Sequence, residues 1–286
     1  MEKITSYLIQ STVNTSEVRA WEEDILLPTY EIGKEEKNPI FLEKRVYQGS
    51  SGAVYPYPVV EKISDEKKDK LYHALFIENE YIKVMILPEL GGRIHMAYDK
   101  VKQRHFVYYN QVVKPALVGL TGPWISGGIE FNWPQHHRPT TFMPVEHAEG
   151  KSDGKKAVFM GEVDYFHQMK GNVALSVDEG SSVLRAKITV YNQTPVAHPF
   201  MWWANLAVEI DDDYRVVFPP DVEYVNDHDR RAVLEWPVAK GVYHTARPYD
   251  YGKGTDIHVS GAIKVPSSFM ISKGQSDMDF VCGYDK

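Results

Sequence analysis

Apolar and polar residues alternate with a period of two along much of this chain. In LRAKITVYN, residues 184–192, Leu184, Ala186, Ile188 and Val190 fall on one side and Arg185, Lys187 and Thr189 on the other. That pattern predicts a half-buried strand of an antiparallel sheet. ALFIENEYIKVMIL, residues 74–87, predicts a hairpin turning at Glu78-Asn79-Glu80, and Gly91-Gly92 opens a further strand. HFVYYNQVV (105–113) reads as another strand. So do KAVFMGEVDY, GNVALSVDEG, SVLRAKITVYNQT, HPFMWWANLAVEID and YRVVFPPDVEYVN, with Gly, Pro, Asp or Asn between them. Helical periodicity is confined to a short turn around Ser16 to Asp24. Many evenly spaced strands with turn signals predict an all-β sandwich or barrel. Residues 1–70 are less regular and read as an N-terminal extension packed on the main sheet. Residues 71–286 read as the sandwich itself, the whole forming one structural unit with no repeat and no long linker.

One stretch breaks the pattern. From Lys114 to His147, four glycines and five prolines interrupt any regular element, yet large rings and ionisable groups crowd together. Trp124, Glu130, Phe131, Asn132, Trp133, His136, His137 and Arg138 all lie here. Irregular backbone dense in chemistry suits a binding cleft on a rigid scaffold. Flat rings beside carboxylate, amide, imidazole and guanidinium suit a polyhydroxylated ligand, because rings stack on the C–H face of a sugar and polar groups pair its hydroxyls.

Composition narrows the classes. The chain has 286 residues, 12% of them aromatic, and a net charge of −7, which disfavours a nucleic-acid partner. The mixed run DEKKDK, residues 65–70, reads as a solvated loop. One cysteine, Cys282, excludes an intramolecular disulfide and a Cys-rich zinc site. No apolar run approaches the roughly 20 residues that span a bilayer, and the N-terminus lacks a leader pattern. The expectation is a cytoplasmic protein without a membrane partner.

With the strands in place, the chain resembles the galactose mutarotase-like (aldose 1-epimerase-like) supersandwich. More narrowly, it resembles the uncharacterised bacterial domain found N-terminal to tetratricopeptide repeats. The matching segments are NPIF at 38–41, YQGSSGAVYPYPV at 47–59, LPELGGRI at 87–94, GPWISGGIEFNWPQHHRPTTF at 122–142 and MWWANLAVEIDDDYRVVFPPDV at 201–222. The resemblance implies an antiparallel β-supersandwich and a carbohydrate ligand, but no particular reaction. Epimerase members use two histidines and a glutamate. Here Ser126 stands before Gly127-Gly128 where one histidine is expected, and Trp202, Trp203 and Asn205 occupy the strand of the other. The family glutamate lies beyond Cys282-Gly283-Tyr284, so the resemblance implies a chain truncated before its last strands.

Glu130 is the first candidate for catalysis. Between Ile129 and Phe131, its carboxylate is either kept protonated for proton transfer or held in an ion pair with Arg93 or Arg138. The glycines before it either admit a ligand close to the backbone or mark a bulge. His136 is the candidate acid–base partner and His137 a ligand contact; on extended backbone only one of them faces Glu130. Either could equally be a loop histidine bonded to backbone. Trp202 and Trp203 face opposite sides of their strand, one into the core, and Trp203 shares its face with Asn205; the resemblance implies that this face is the cleft, where they would stack on and bond a sugar together with Trp124, Trp133, Asn132 and Arg138. Arg93 shares a face with His95; the resemblance implies that their strand borders the cleft, so that Arg93 either bonds hydroxyls or a uronate or forms a salt bridge. Glycoside hydrolysis would pair Glu130 with Glu146 or Asp164, whereas epimerisation needs one acid and one base. No cofactor is required. A divalent metal on Glu130, one of the paired histidines and His147 lacks a supporting His-x-His or His-x3-His spacing. Asp211-Asp212-Asp213 reads as a turn. The alternative to a carbohydrate-active domain is a non-catalytic sugar-sensing or protein-interaction module of a larger tetratricopeptide-repeat protein. Open sheet edges would allow a homodimer.

Overall fold

The computed structural model describes residues 16–36, 54–134, 136–228, 232–243, 249–263, 268–271 and 274–284. NPIF and the first part of YQGSSGAVYPYPV lie outside them. The chain divides into two compact units, Met1–Val208 and Glu209–Lys286. The boundary expected at residue 70 falls inside a strand.

The first unit holds fifteen strands among the described residues: β1 (Arg19–Ile32), β2 (Glu35–Glu36), β3 (Val59–Val60), β4 (Ile63–Glu78), β5 (Ile82–Leu87), β6 (Arg93–Asp99), β7 (Arg104–His105), β8 (Ala116–Gly119), β9 (Gly122–Trp124), β10 (Ile129–Asn132), β11 (Glu146–Ser152), β12 (Lys155–Asp164), β13 (Met169–Val177), β14 (Leu184–Asn192) and β15 (Trp203–Leu206). The main sheet runs in the order β1-β4-β5-β6-β10-β15, with β7 beside β6. The second is the meander β11-β12-β13-β14. Every pairing in both sheets is antiparallel. The expected all-β antiparallel sandwich is therefore observed.

Alternation explains how the sheets stack. On β4, Leu75 and Ile77 join Val84, Ile86, Ile94 and Phe131 against Val158, Val173 and Leu175 of the second sheet. Tyr72, Ala74 and Phe76 point the other way, into a second core with Met85, Leu87 and Met96 that Val113 and Ile125 also enter. The main sheet is thus apolar on both faces, and β5 is buried at every residue. A strand buried on both sides reads as a continuous apolar run rather than an alternation. β14, the strand with the clearest alternation, is the outer strand of its antiparallel sheet; its Leu184 and Ile188 pack against the inter-sheet core while Arg185 and Lys187 are exposed.

The hairpin turn at 78–80 forms as expected, because β4 pairs β5 from Leu75↔Ile86 to Glu78↔Lys83. Its Asn79 is wholly buried. Its Oδ1 accepts from the Tyr81 and Ile82 amides at 3.0 Å each, and its Nδ2 donates to the Asp178 and Ser181 carbonyls at 2.7 Å each. One side chain thus closes a turn of the first sheet and holds the β13–β14 turn of the second.

Three expectations are corrected. DEKKDK is not a loop but the exposed half of β4, laddered to β1 from Leu27↔Lys70 to Tyr30↔Lys67. The turn around Ser16 to Asp24 is the start of β1, because pairing with residues 73–78 outweighs a weak local helical preference. Of HFVYYNQVV only His105 lies in a strand; the Tyr108 amide donates to the Ala207 carbonyl and the Val113 amide to that of Pro28. No helix among the described residues is long and apolar enough to cross a membrane.

In the second unit, β16 (Arg215–Val217) pairs β22 (Cys282–Tyr284), β17 (Tyr224–Asp227) lies between β18 (Ala232–Glu235) and β21 (Phe269–Met270), and β19 (Val238–Tyr243) pairs β20 (Tyr249–Asp256). Phe218, Val225, Leu234 and Tyr251 centre its own core. Asp211–Asp213 make a turn in which the Asp213 amide donates to the Asp211 carboxylate at 2.9 Å.

Candidate functional site

Two short strands build the site. Ile129 and Phe131 of β10 enter the inter-sheet core, so Glu130 and Asn132 project from the opposite face. β15 pairs β10 with Glu130↔Asn205 and Asn132↔Trp203. Both residues of each pair therefore share that face. Ile129↔Ile94 brings β6 alongside, which sets Arg93 next to Glu130. Gly128 makes the approach feasible: at φ 60° a β-carbon there would lie 1.9 Å from the Ile94 carbonyl oxygen. The glycines thus serve strand packing.

The floor is buried: Arg93 is 3% exposed, Glu130 2% and Asn132 0%. Glu130 accepts from the Thr141 hydroxyl at one oxygen and from Asn132 Nδ2 at 3.1 Å at the other. It has no ion pair with Arg93 or Arg138 among the described contacts. Burial pushes the Glu130 carboxyl up, but the bonds from Thr141 and Asn132 and the charges of Arg93 and His137 outweigh it. The group is held below the ordinary glutamate value, ionised rather than kept protonated. Arg93 donates to the Ile125 carbonyl at 2.8 Å and to that of Gly127. Burial pushes its guanidinium down to about 10, against the pull of Glu130, so it stays charged at neutral pH. Arg93 Nε and Trp203 Nε1 are buried donors without a hydrogen-bond partner among the described residues.

Of the two adjacent histidines, His136 is exposed, while His137 is half-buried with its ring edge-on to Trp203, centroids 4.6 Å apart at 86°. Burial lowers the His137 pKa despite the Glu130 charge, which favours a neutral imidazole. His137, not His136, thus stands with the cluster. Trp203 is half-buried and Asn205 exposed, forming a rim over the polar floor.

Other expected residues have different work. Trp133 is 3% exposed within the sandwich core, its indole 4.4 Å from the Arg138 guanidinium. Arg138 pairs Glu162 at 3.1 Å and donates to the Gly91 carbonyl, while its own amide donates to Asn132 Oδ1 at 2.9 Å. It clamps the segment after β10 and orients Asn132. Trp124 ends β9, just before the carbonyls that hold Arg93. His95 is the extra residue of a bulge in which Ile86↔Ile94 is followed by Met85↔Met96. Burial, then the Arg93 charge, pushes its pKa down to about 3. Glu146 and Asp164 both belong to the second sheet, and Asp164 accepts from the His167 amide at 2.7 Å. His147 does not join Glu130; it stands with Glu22 and His73.

Thr141 and Glu162 were missed. Thr140-Thr141 lies in the same proline-broken segment as Glu130, and that was the available signal. A cavity of about 280 Å³ is lined by Lys70, Tyr72, Glu89, Thr121, Phe142 and Met143. None of the expected site residues lines it.

Fold and site together define an all-β antiparallel sandwich domain with a buried Arg-Glu-Asn floor beneath a half-open aromatic and amide rim. The family described as a domain of unknown function (DUF5107) matches residues 50–276, and the chain belongs to it. It is also similar to the crystal structure of a TPR-domain containing protein from Parabacteroides distasonis ATCC 8503. The TM-score is 0.68 at 26% identity, covering 78% of this chain and 37% of that one. The chain thus spans little more than a third of the solved protein it matches.

Proposed function

We propose that the face formed by Arg93, Glu130, Asn132, His137, Trp203 and Asn205 binds a carbohydrate, and that the sandwich is of the galactose mutarotase-like type. The observation that carries this reading is the β10–β15 register. It aligns a carboxylate, two amides and an indole on one face, where the Arg93 Nε and Trp203 Nε1 donors have no hydrogen-bond partner among the described residues. An indole edge beside amide and carboxylate groups matches a sugar ring with its hydroxyls.

The chemistry favours recognition over hydrolysis. Glycoside hydrolysis needs a second carboxylate across the scissile bond, and an acid held protonated. Here Glu130 is ionised, and Glu146 and Asp164 sit on the other sheet. The likeness to a longer TPR-domain protein supports a sugar-sensing module within a larger chain. Saturation-transfer NMR with a panel of mono- and oligosaccharides tests the proposal. We expect transfer to at least one sugar with static anomeric and glycosidic signals, abolished in Trp203→Ala and weakened in Asn205→Ala. Anomeric exchange faster than in buffer would make the site an epimerase. Transfer that survives Trp203→Ala, or no transfer to any sugar, defeats the proposal.

A further inference from the structure

Away from that face, three metal-binding side chains from three strands and both sheets converge. Glu22 comes from β1, His73 from β4 and His147 from β11. Glu22 Oε2 lies 2.8 Å from His73 Nε2, and Glu22 Oε1 3.9 Å from His147 Nε2. The ligand atoms of all three lie within 4.8 Å of one another. Asp24 is two residues from Glu22 on the same face of β1, and its Oδ1 is 2.8 Å from His73 Nδ1. The two imidazole rings are 5.7 Å apart.

We propose that Glu22, His73 and His147 bind a divalent first-row metal ion, with Zn²⁺ the best match, and that Asp24 is the positioning residue for His73. Two imidazoles and one carboxylate are a ligand set that zinc accepts, leaving a fourth position for water. Ligands about 2.0–2.1 Å from a tetrahedral ion lie roughly 3.3 Å apart, so modest side-chain rotations would close the set. A carboxylate on the far nitrogen of a ligating histidine fixes its tautomer and strengthens it as a donor, and Asp24 stands in that relation to His73. All three ligands are exposed or half-exposed, which gives an ion a path in. A simple Glu22–His73–Asp24 ion network would explain two of the three ligands. It gives no reason for His147, on another sheet, to present its Nε2 to the same carboxylate. An ion here would join β11 of the second sheet to the β1–β4 edge of the first.

The test is calorimetric titration of the EDTA-treated, dialysed full chain with Zn²⁺, with visible absorption of bound Co²⁺ reporting the coordination. We expect one equivalent bound, and a rise in Tm with Zn²⁺. Affinity should fall at least tenfold in His147→Ala and Glu22→Gln, and about 10–100-fold in Asp24→Asn, the range for loss of an outer carboxylate partner. Glu22→Gln keeps the side-chain shape, and Tm in EDTA confirms that each variant is folded. Absence of binding to the wild-type chain overturns the proposal. So does binding unchanged by His147→Ala and Glu22→Gln, since the ion would then reside on other histidines.

Discussion

Asn79 offers a sharp test of how the two sheets are held. Truncation to alanine removes four hydrogen bonds at once, two of 2.7 Å to the β13–β14 turn and two of 3.0 Å within its own hairpin. At about 1 kcal/mol net per bond the loss is ~4 kcal/mol, reduced where water reaches the turn carbonyls, so about 3–4 kcal/mol is expected. Asn79→Asp separates the two halves of the interaction. It keeps both acceptor bonds but turns the donors into a carboxylate facing two carbonyls, so it should cost at least as much as alanine near neutral pH. Equilibrium urea unfolding, followed by tryptophan fluorescence, reads this directly. Trp21, Trp124, Trp133, Trp202 and Trp203 belong to the first unit and only Trp236 to the second. Asn79→Ala within about 0.5 kcal/mol of wild type, or Asn79→Asp as stable as wild type, would show that the staple contributes little.

Gly171 tests the packing of Trp133. A β-carbon there would lie 2.3 Å from the indole, so Gly171→Ala should cost about 1–3 kcal/mol, and less in a Trp133→Phe background, by urea denaturation. Glu130→Gln keeps the hydrogen-bonding shape but removes the charge beside buried Arg93; a loss of about 2–4 kcal/mol at pH 7 is expected. Because the folded pKa of Glu130 is depressed, its contribution is present above the ordinary carboxylate range and lost as pH falls through the folded value. The stability gap between wild type and Glu130→Gln should therefore close in acid; a gap constant from pH 7 to pH 3 would refute the charge argument.

Much of the scaffold was legible because its pairings are local. The β4–β5 hairpin and the β12–β14 meander announce themselves through alternation and turn residues. Residues 105–113 misled because Phe, Val and Tyr favour strands wherever they lie, while hydrogen-bond partners of this segment come from Ala207 and Pro28. DEKKDK misled because charge describes its solvent exposure and not its ladder with β1. Within the site, alternation placed Trp203 with Asn205, and the register joined them to Glu130 and Asn132. Alternation implies that only one of His136 and His137 stands with the cluster, but which of them does so is set by an irregular segment that no short-range pattern describes. The engagements of Arg138 and Trp133 depend on Gly91, Glu162 and Gly171, which no short-range pattern connects to them.

The meander β11–β14 lies in the chain between β10 and β15, which pair with each other in the opposite sheet. Joining Asn132 to Trp203 therefore closes a loop of roughly seventy residues, an entropic cost that the hairpins of the meander avoid. β15 is thus expected to dock last during folding and to detach first in the native ensemble, taking Trp203 and Asn205 away from Glu130 and Asn132. Amide hydrogen exchange should be faster at Ala204 and Asn205 than at Val173 and Leu175; equal protection would contradict this order. A ligand bridging β10 and β15 would then act as a clasp, slowing exchange along β15 without altering any average coordinate.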